Sequence, residues 1–161
     1  MPNAPAALSN APALVFSPPA GDWTYSAKVH CKHEFLFDAG TLFVHQGPED
    51  WCKLCFEFSP EKTPTVVSVV TRNFSDDCNG ATITADAVHL RISRVGPVVA
   101  FHYSTDGGSY WTLHRLFSMR NPDADMAIGF LAQAPTGKSC TAVFSDIKLT
   151  DTGVQDFRDG T

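Results

Sequence analysis

Val88-His89-Leu90-Arg91-Ile92-Ser93 alternates apolar and polar side chains without a break. A β-strand projects successive side chains to opposite faces, so this run reads as a strand with one face on a core and the other toward water. Similar runs, bounded by Gly, Pro, Asn and Asp, cover 23–31, 40–46, 51–58, 65–72, 87–94, 98–104, 111–117, 126–133 and 140–149. Within 51–58, Cys52, Leu54, Phe56 and Phe58 alternate with Trp51, Lys53, Cys55 and Glu57. Helical spacing is hard to find between these runs. Many short strands separated by turn residues are the pattern of an all-β sandwich or barrel, and no fixed-period repeat suggests a propeller or solenoid.

Composition agrees with that reading. The chain has 161 residues, 43% of them apolar, enough for one core and little more. Charged residues make up only 18%, while eleven Gly and eleven Pro supply turns. Twelve basic residues against 17 acidic ones, a formal charge of −5, argue against nucleic acid or a lipid surface as partner. No apolar stretch is long enough for a membrane-spanning helix, and the N-terminus lacks the order of a secretion signal. Five cysteines, an odd number in a domain that needs no staples, predict reduced thiols and a cytoplasmic location. Residues 1–13 read as a disordered Ala/Pro arm, with Leu14-Val15-Phe16 able to dock as an edge strand. Residues 14–150 then form the domain, and 151–161 read as a flexible tail.

Ser104-Thr105-Asp106-Gly107-Gly108-Ser109-Tyr110-Trp111 fits Ser-x-Asp-x-Gly-x-x-Trp, an Asp-box. Its aspartate accepts bonds from turn N–H groups, its glycines supply positive φ, and its tryptophan packs beneath the loop. A single copy points to a two-sheet fold with one well-made hairpin.

Few residues carry obvious chemistry. His30-Cys31-Lys32-His33 and Cys52-Lys53-Leu54-Cys55 have metal-ligand types, but Cys52 and Cys55 are three apart on a strand and face opposite ways. No metal is expected, and the absence of phosphate-loop and dinucleotide motifs gives no cofactor. A paired-carboxylate glucanase needs acidic residues at alternating positions of one strand, whereas Glu57 is the only acid in 51–58. Glu57 and Lys53 share a face, where they form either a strand ion pair or a ligand contact. Among six scattered histidines, His102 stands out: it lies between Phe101 and Tyr103 beside the Asp-box and is placed to share a face with Arg91.

The order of five segments carries a resemblance: Trp51–Phe58, Thr65–Asp76, His89–Arg94, Phe101–Gly108 with Trp111, and Ile128–Gly137 followed by Phe144-Ser145-Asp146. Over about residues 23–149 the chain resembles the yeast regulation-of-enolase and bacterial YesU-like proteins. That resemblance implies a two-sheet antiparallel jelly-roll sandwich of the concanavalin A-like kind, with a concave face. On that face the expected ligand-binding residues are Trp51, Lys53, Arg72, Arg91 and Arg115, and the acid/base candidates are Glu57 and His102. Three functions are open at this point. One is a small-molecule-binding domain, carbohydrate-related through its fold; another is a cofactor-free isomerase, cyclase or lyase of specialised metabolism using the same cleft; the third is a regulatory or interaction protein whose concave face is a docking surface. The expected partner is a small-molecule ligand, with the chain acting as a monomer or homodimer.

Overall fold

The computed structural model describes residues 10–161, which form eleven strands and no helix. One sheet runs in the order β1 (Ala13–Phe16), β10 (Ala127–Gln133), β3 (Ala39–Gly47), β4 (Asp50–Phe58), β5 (Pro64–Arg72) and β6 (Phe74–Thr82). The other runs β11 (Ala142–Thr150), β2 (Trp23–Cys31), β7 (Ala87–Val95), β8 (Val98–Ser104) and β9 (Thr112–Ser118). Every pairing is antiparallel. The chain is therefore the all-β two-sheet sandwich that the alternation predicts. No helix among the described residues is long and apolar enough to cross a membrane.

The core is the sum of the inward positions of both sheets. Cys52, Leu54 and Phe56 of β4 meet Tyr25, Ala27 and Val29 of β2 and Val88, Leu90 and Ile92 of β7, all at 4% exposure or less. Each large apolar side chain so buried stabilises the fold by about 1.5–3 kcal/mol. The Tyr25 hydroxyl, carried into this apolar layer, donates to the Phe43 and Gly129 carbonyls at 2.9 and 3.3 Å, so its desolvation is offset.

Two strands lie outside the nine expected runs. β6 reads Phe-Ser-Asp-Asp-Cys-Asn-Gly-Ala-Thr, a composition poor in strand formers, and is held by its ladder to β5. It lies at a sheet edge, where exposed acids discourage pairing with another chain. β1 docks on β10 from Ala13↔Leu131 to Phe16↔Ile128, with the Phe16 and Phe130 rings 6.2 Å apart. Most of the expected arm, residues 1–9, lies outside the described residues.

Gly129 permits the β1 docking. A Cβ there would lie 2.0 Å from the Leu14 carbonyl oxygen, a backbone atom that cannot swing away. Gly129→Ala is expected to release β1 while leaving the core packed. Hydrogen exchange checks this: amides of residues 13–16 should exchange at least tenfold faster, and unchanged protection there would refute the steric argument.

The segment expected as a flexible tail, 151–161, is seated on the outer face of the five-stranded sheet. His102 Nε2 donates to the Phe157 carbonyl at 2.8 Å, and Arg91 donates to the Gly160 carbonyl at 2.7 Å.

Candidate functional site

β4 turns Trp51, Lys53, Cys55 and Glu57 to the outer face of the six-stranded sheet, because the alternate residues are committed to the core. The ladder brings Phe43 opposite Lys53, His45 opposite Trp51, and Val69 on the other side of Lys53. Phe43 lies 6.2 Å from the Trp51 ring and 5.7 Å from the His45 ring, forming an aromatic row. The Lys53 ammonium is 5.8 Å from the Trp51 ring centroid. Between Lys53 and Glu57, Cys55 joins Ala39 and Val67 in a small apolar cluster separate from the main core.

Gln133 of β10 completes the arrangement. Its Oε1 accepts from Lys53 Nζ at 2.7 Å, while its Nε2 donates to Glu57 Oε2 at 3.2 Å and to the Phe37 carbonyl at 2.9 Å. The expected Lys53–Glu57 pair is thus linked through an amide rather than made directly. Gln133 was not legible as a site residue: it lies two strands away, and only the β10–β3–β4 register sets it beside Glu57.

Glu57 is only 7% exposed, and burial pushes its carboxyl up to about 7. Asp77 across the sheet pushes the same way, whereas Lys53 and the Gln133 amide oppose the rise. Desolvation wins because the cation reaches Glu57 only at second hand. The result is a carboxyl that both gives and takes a proton near neutrality.

The other expected site residues stand elsewhere. Arg91 and His102 are direct cross-strand partners, as the alternation suggested, but they belong to the outer face of the five-stranded sheet. They are on the opposite side of the sandwich from Glu57, so the expectation of one face holding all seven residues is corrected. Alternation assigns a residue to a face of its strand and leaves open which sheet the strand joins. His102 is fully buried, and that burial, helped by the Arg91 charge, lowers its pKa to about 4. Arg72 is exposed at the end of β5, where it donates to the Ser118 carbonyl at 3.4 Å. Arg115 donates to Asp76 at 2.8 Å, bridging the edge strands β9 and β6.

The Asp-box closes as its sequence predicts. Asp106 Oδ1 accepts from Ser104 Oγ at 2.7 Å and from the Tyr110 and Ser109 amides at 3.0 and 3.1 Å. Those donors, the Tyr110 amide foremost, hold its carboxyl below the usual range. The hairpin sets Trp111 against Arg91, whose guanidinium carbon is 4.1 Å from the ring centroid. A groove of about 420 Å³ runs beside them, lined by Ser26, His89, Arg91, Trp111, Asp146 and Lys148 among others. Its aromatic ring is taken by Arg91, and Arg91 by the Gly160 carbonyl. On the opposite face the Lys53 cation stands farther from its ring, 5.8 Å from the Trp51 centroid, and the carboxyl of Glu57 is raised to about 7, which makes that face the stronger candidate.

Comparison with solved structures identifies the architecture. An uncharacterised Saccharomyces cerevisiae protein superposes with a TM-score of 0.74 at 24% identity, over 86% of this chain and 72% of that one. A xylan β-1,4-xylosidase from Bacillus halodurans gives a TM-score of 0.71 at 14% identity, over 86% of this chain but only 33% of the enzyme. An alginate lyase from Klebsiella pneumoniae gives 0.55 at 16% identity, over 84% of this chain and 61% of the lyase. These likenesses establish a jelly-roll sandwich. None of the curated proteins compared matches the sequence. A family model described as "Protein of unknown function (DUF1349)" matches residues 3–152.

Proposed function

The chain belongs to the DUF1349 family of proteins of unknown function, and from that premise we propose that it binds a small polar ligand of the carbohydrate class on the outer face of its six-stranded sheet. One observation carries the reading: the half-buried Trp51 ring stands beside Lys53, Gln133 and Glu57, linked in one hydrogen-bonded series. Sugar rings stack their C–H faces on indole while their hydroxyls engage charged and amide groups. The carbohydrate-active enzymes among the structural neighbours support the ligand class by fold analogy. Within the family, the order of the five sequence segments supports kinship with the regulation-of-enolase and YesU-like proteins. Five free cysteines, three of them buried, fit a cytoplasmic protein. We take it to act as a monomer or homodimer.

A thermal-shift panel of neutral and acidic saccharides tests the binding reading. At least one saccharide is expected to raise the melting temperature, and Trp51→Ala to weaken that ligand at least tenfold by removing about 1.5 kcal/mol or more of stacking. A panel without any shift, or a ligand indifferent to Trp51→Ala, would sink it.

Glu57 favours a second reading in which the same face works as a cofactor-free isomerase, cyclase or lyase. A carboxyl at about 7 is poised for general acid–base catalysis. Lys53 and Gln133 then hold the substrate's polar groups against it. His102, the other acid/base candidate, has no part in this reading because its sheet faces the other way.

A further inference from the structure

Outside this face, one pair of nucleophilic groups is brought together by the fold. Cys31 ends β2 and Cys140 lies two residues before the start of β11; their sulfurs are 3.2 Å apart although they are 109 positions apart in sequence. The β11–β2 ladder fixes that closeness through Ala142↔Cys31, and the Lys32 amide adds a bond to the Thr141 carbonyl at 3.0 Å. A disulfide needs the sulfurs about 2.05 Å apart, a closure of roughly 1.2 Å that side-chain rotation and small shifts of an irregular loop can supply. Cys140 lies in such a loop, the 134–141 connection between β10 and β11. The other thiols lack this arrangement: Cys52 points into the core, Cys55 to the outer face, and Cys78 lies on the edge strand β6.

We propose that Cys31 and Cys140 form a reversible disulfide by exchange with a low-molecular-weight disulfide such as oxidised glutathione. Cys140, the more exposed of the two, attacks as thiolate: a Cys140–glutathione bond forms, the glutathione S–S bond breaks, and one glutathione thiolate leaves. Cys31 then loses its proton to solvent and attacks the Cys140 sulfur, expelling the second glutathione thiolate. The protein loses two protons and two electrons, and one glutathione disulfide becomes two thiols. Burial raises both thiols above their ordinary range, and their shared contact raises Cys31 further while it lowers Cys140. Exchange is therefore slow near neutrality and faster in alkali.

The bond ties the start of β11 to the end of β2 and so anchors the 134–141 connection at its far end. At its near end that connection follows Gln133, and between them Thr136 Oγ1 donates to the Leu36 carbonyl at 2.6 Å. Oxidation is expected to stiffen this loop and to slow hydrogen exchange of the first β11 amides.

The test uses the full chain, incubated with excess oxidised glutathione at pH 8.5, then alkylated in denaturant and digested. The expected result is a mass loss of two hydrogens, a Cys31–Cys140 linked peptide, and alkylation of Cys52, Cys55 and Cys78. Reductant should restore five alkylated thiols and reverse the rise in melting temperature that oxidation brings. Cys31→Ser should leave Cys140 carrying a stable glutathione adduct. Wild-type protein that keeps all five thiols, or that links any other pair instead, overturns the proposal. Both readings come from unsubstituted protein, so a variant that fails to fold does not decide the matter.

Discussion

Glu57→Gln is expected to make the protein more stable above neutral pH while removing the carboxyl proposed as general acid–base on the candidate face. A carboxyl whose pKa rises from 4.5 to about 7 on folding is held more tightly as the acid in the folded chain than in the unfolded one. Its favourable contribution is complete below pH 4.5 and is lost as pH rises through 7, where the folded chain must carry a desolvated anion. The difference corresponds to about 3 kcal/mol, and glutamine escapes it because it has no charge to bury. Urea or thermal denaturation at pH 8 should therefore show a gain of up to roughly 5–10 °C over wild type, shrinking toward pH 4.5. On the enzymatic reading, turnover by the same variant should fall roughly 10²–10⁴-fold. A variant no more stable than wild type at pH 8 would show that Glu57 is ordinarily solvated. One that keeps full turnover would remove Glu57 from the chemistry.

The strands 51–58 and 87–94 were legible because their alternation is uninterrupted, and the structure places them at Asp50–Phe58 and Ala87–Val95. The Trp51–Lys53–Glu57 face followed from parity alone, a local property of one strand. Gln133 did not, since its partnership with Glu57 is made by a register spanning three strands. Parity failed for Arg91 and His102 for the converse reason: their shared face was correct, but it belongs to the other sheet. β6 was missed because its Asp, Asn and Gly residues oppose strand formation locally, and tertiary pairing overrides them. The docking of 151–161 was missed because most of its bonds come from backbone carbonyls and amides, which leave no side-chain pattern.

That docking makes Gly160→Ala the other variant of large effect. Gly160 has φ +77°, a region where alanine is strained, and a Cβ there would lie 2.1 Å from the Arg91 Nη2 that now donates to the Gly160 carbonyl. Alanine should therefore lift the end of the chain off the five-stranded sheet and break the charge-assisted bond from Arg91, together with the bond from His102 to Phe157. Their loss is expected to cost about 2–4 kcal/mol at pH 7. The pH dependence separates this from a general loss of packing. In the wild type, His102 titrates at about 4 because it is buried as the neutral ring, so the unfolded chain binds the extra proton between pH 6.5 and 4. That group alone removes about 3 kcal/mol of stability as pH falls through this window, opposing the gain from Glu57. Burial lowers His33 and His114 as well, which adds to the destabilisation in acid. Once the chain end lifts and water reaches His102, its pKa should return toward 6.5, and Gly160→Ala should be less stable than wild type at pH 7 yet lose less on going to pH 4.5. An NMR titration of the His102 ring read beside urea denaturation at both pH values checks this. If His102 still titrates near 4 in the variant, the chain end is not what keeps water from it, and sheet packing alone must hold the ring neutral.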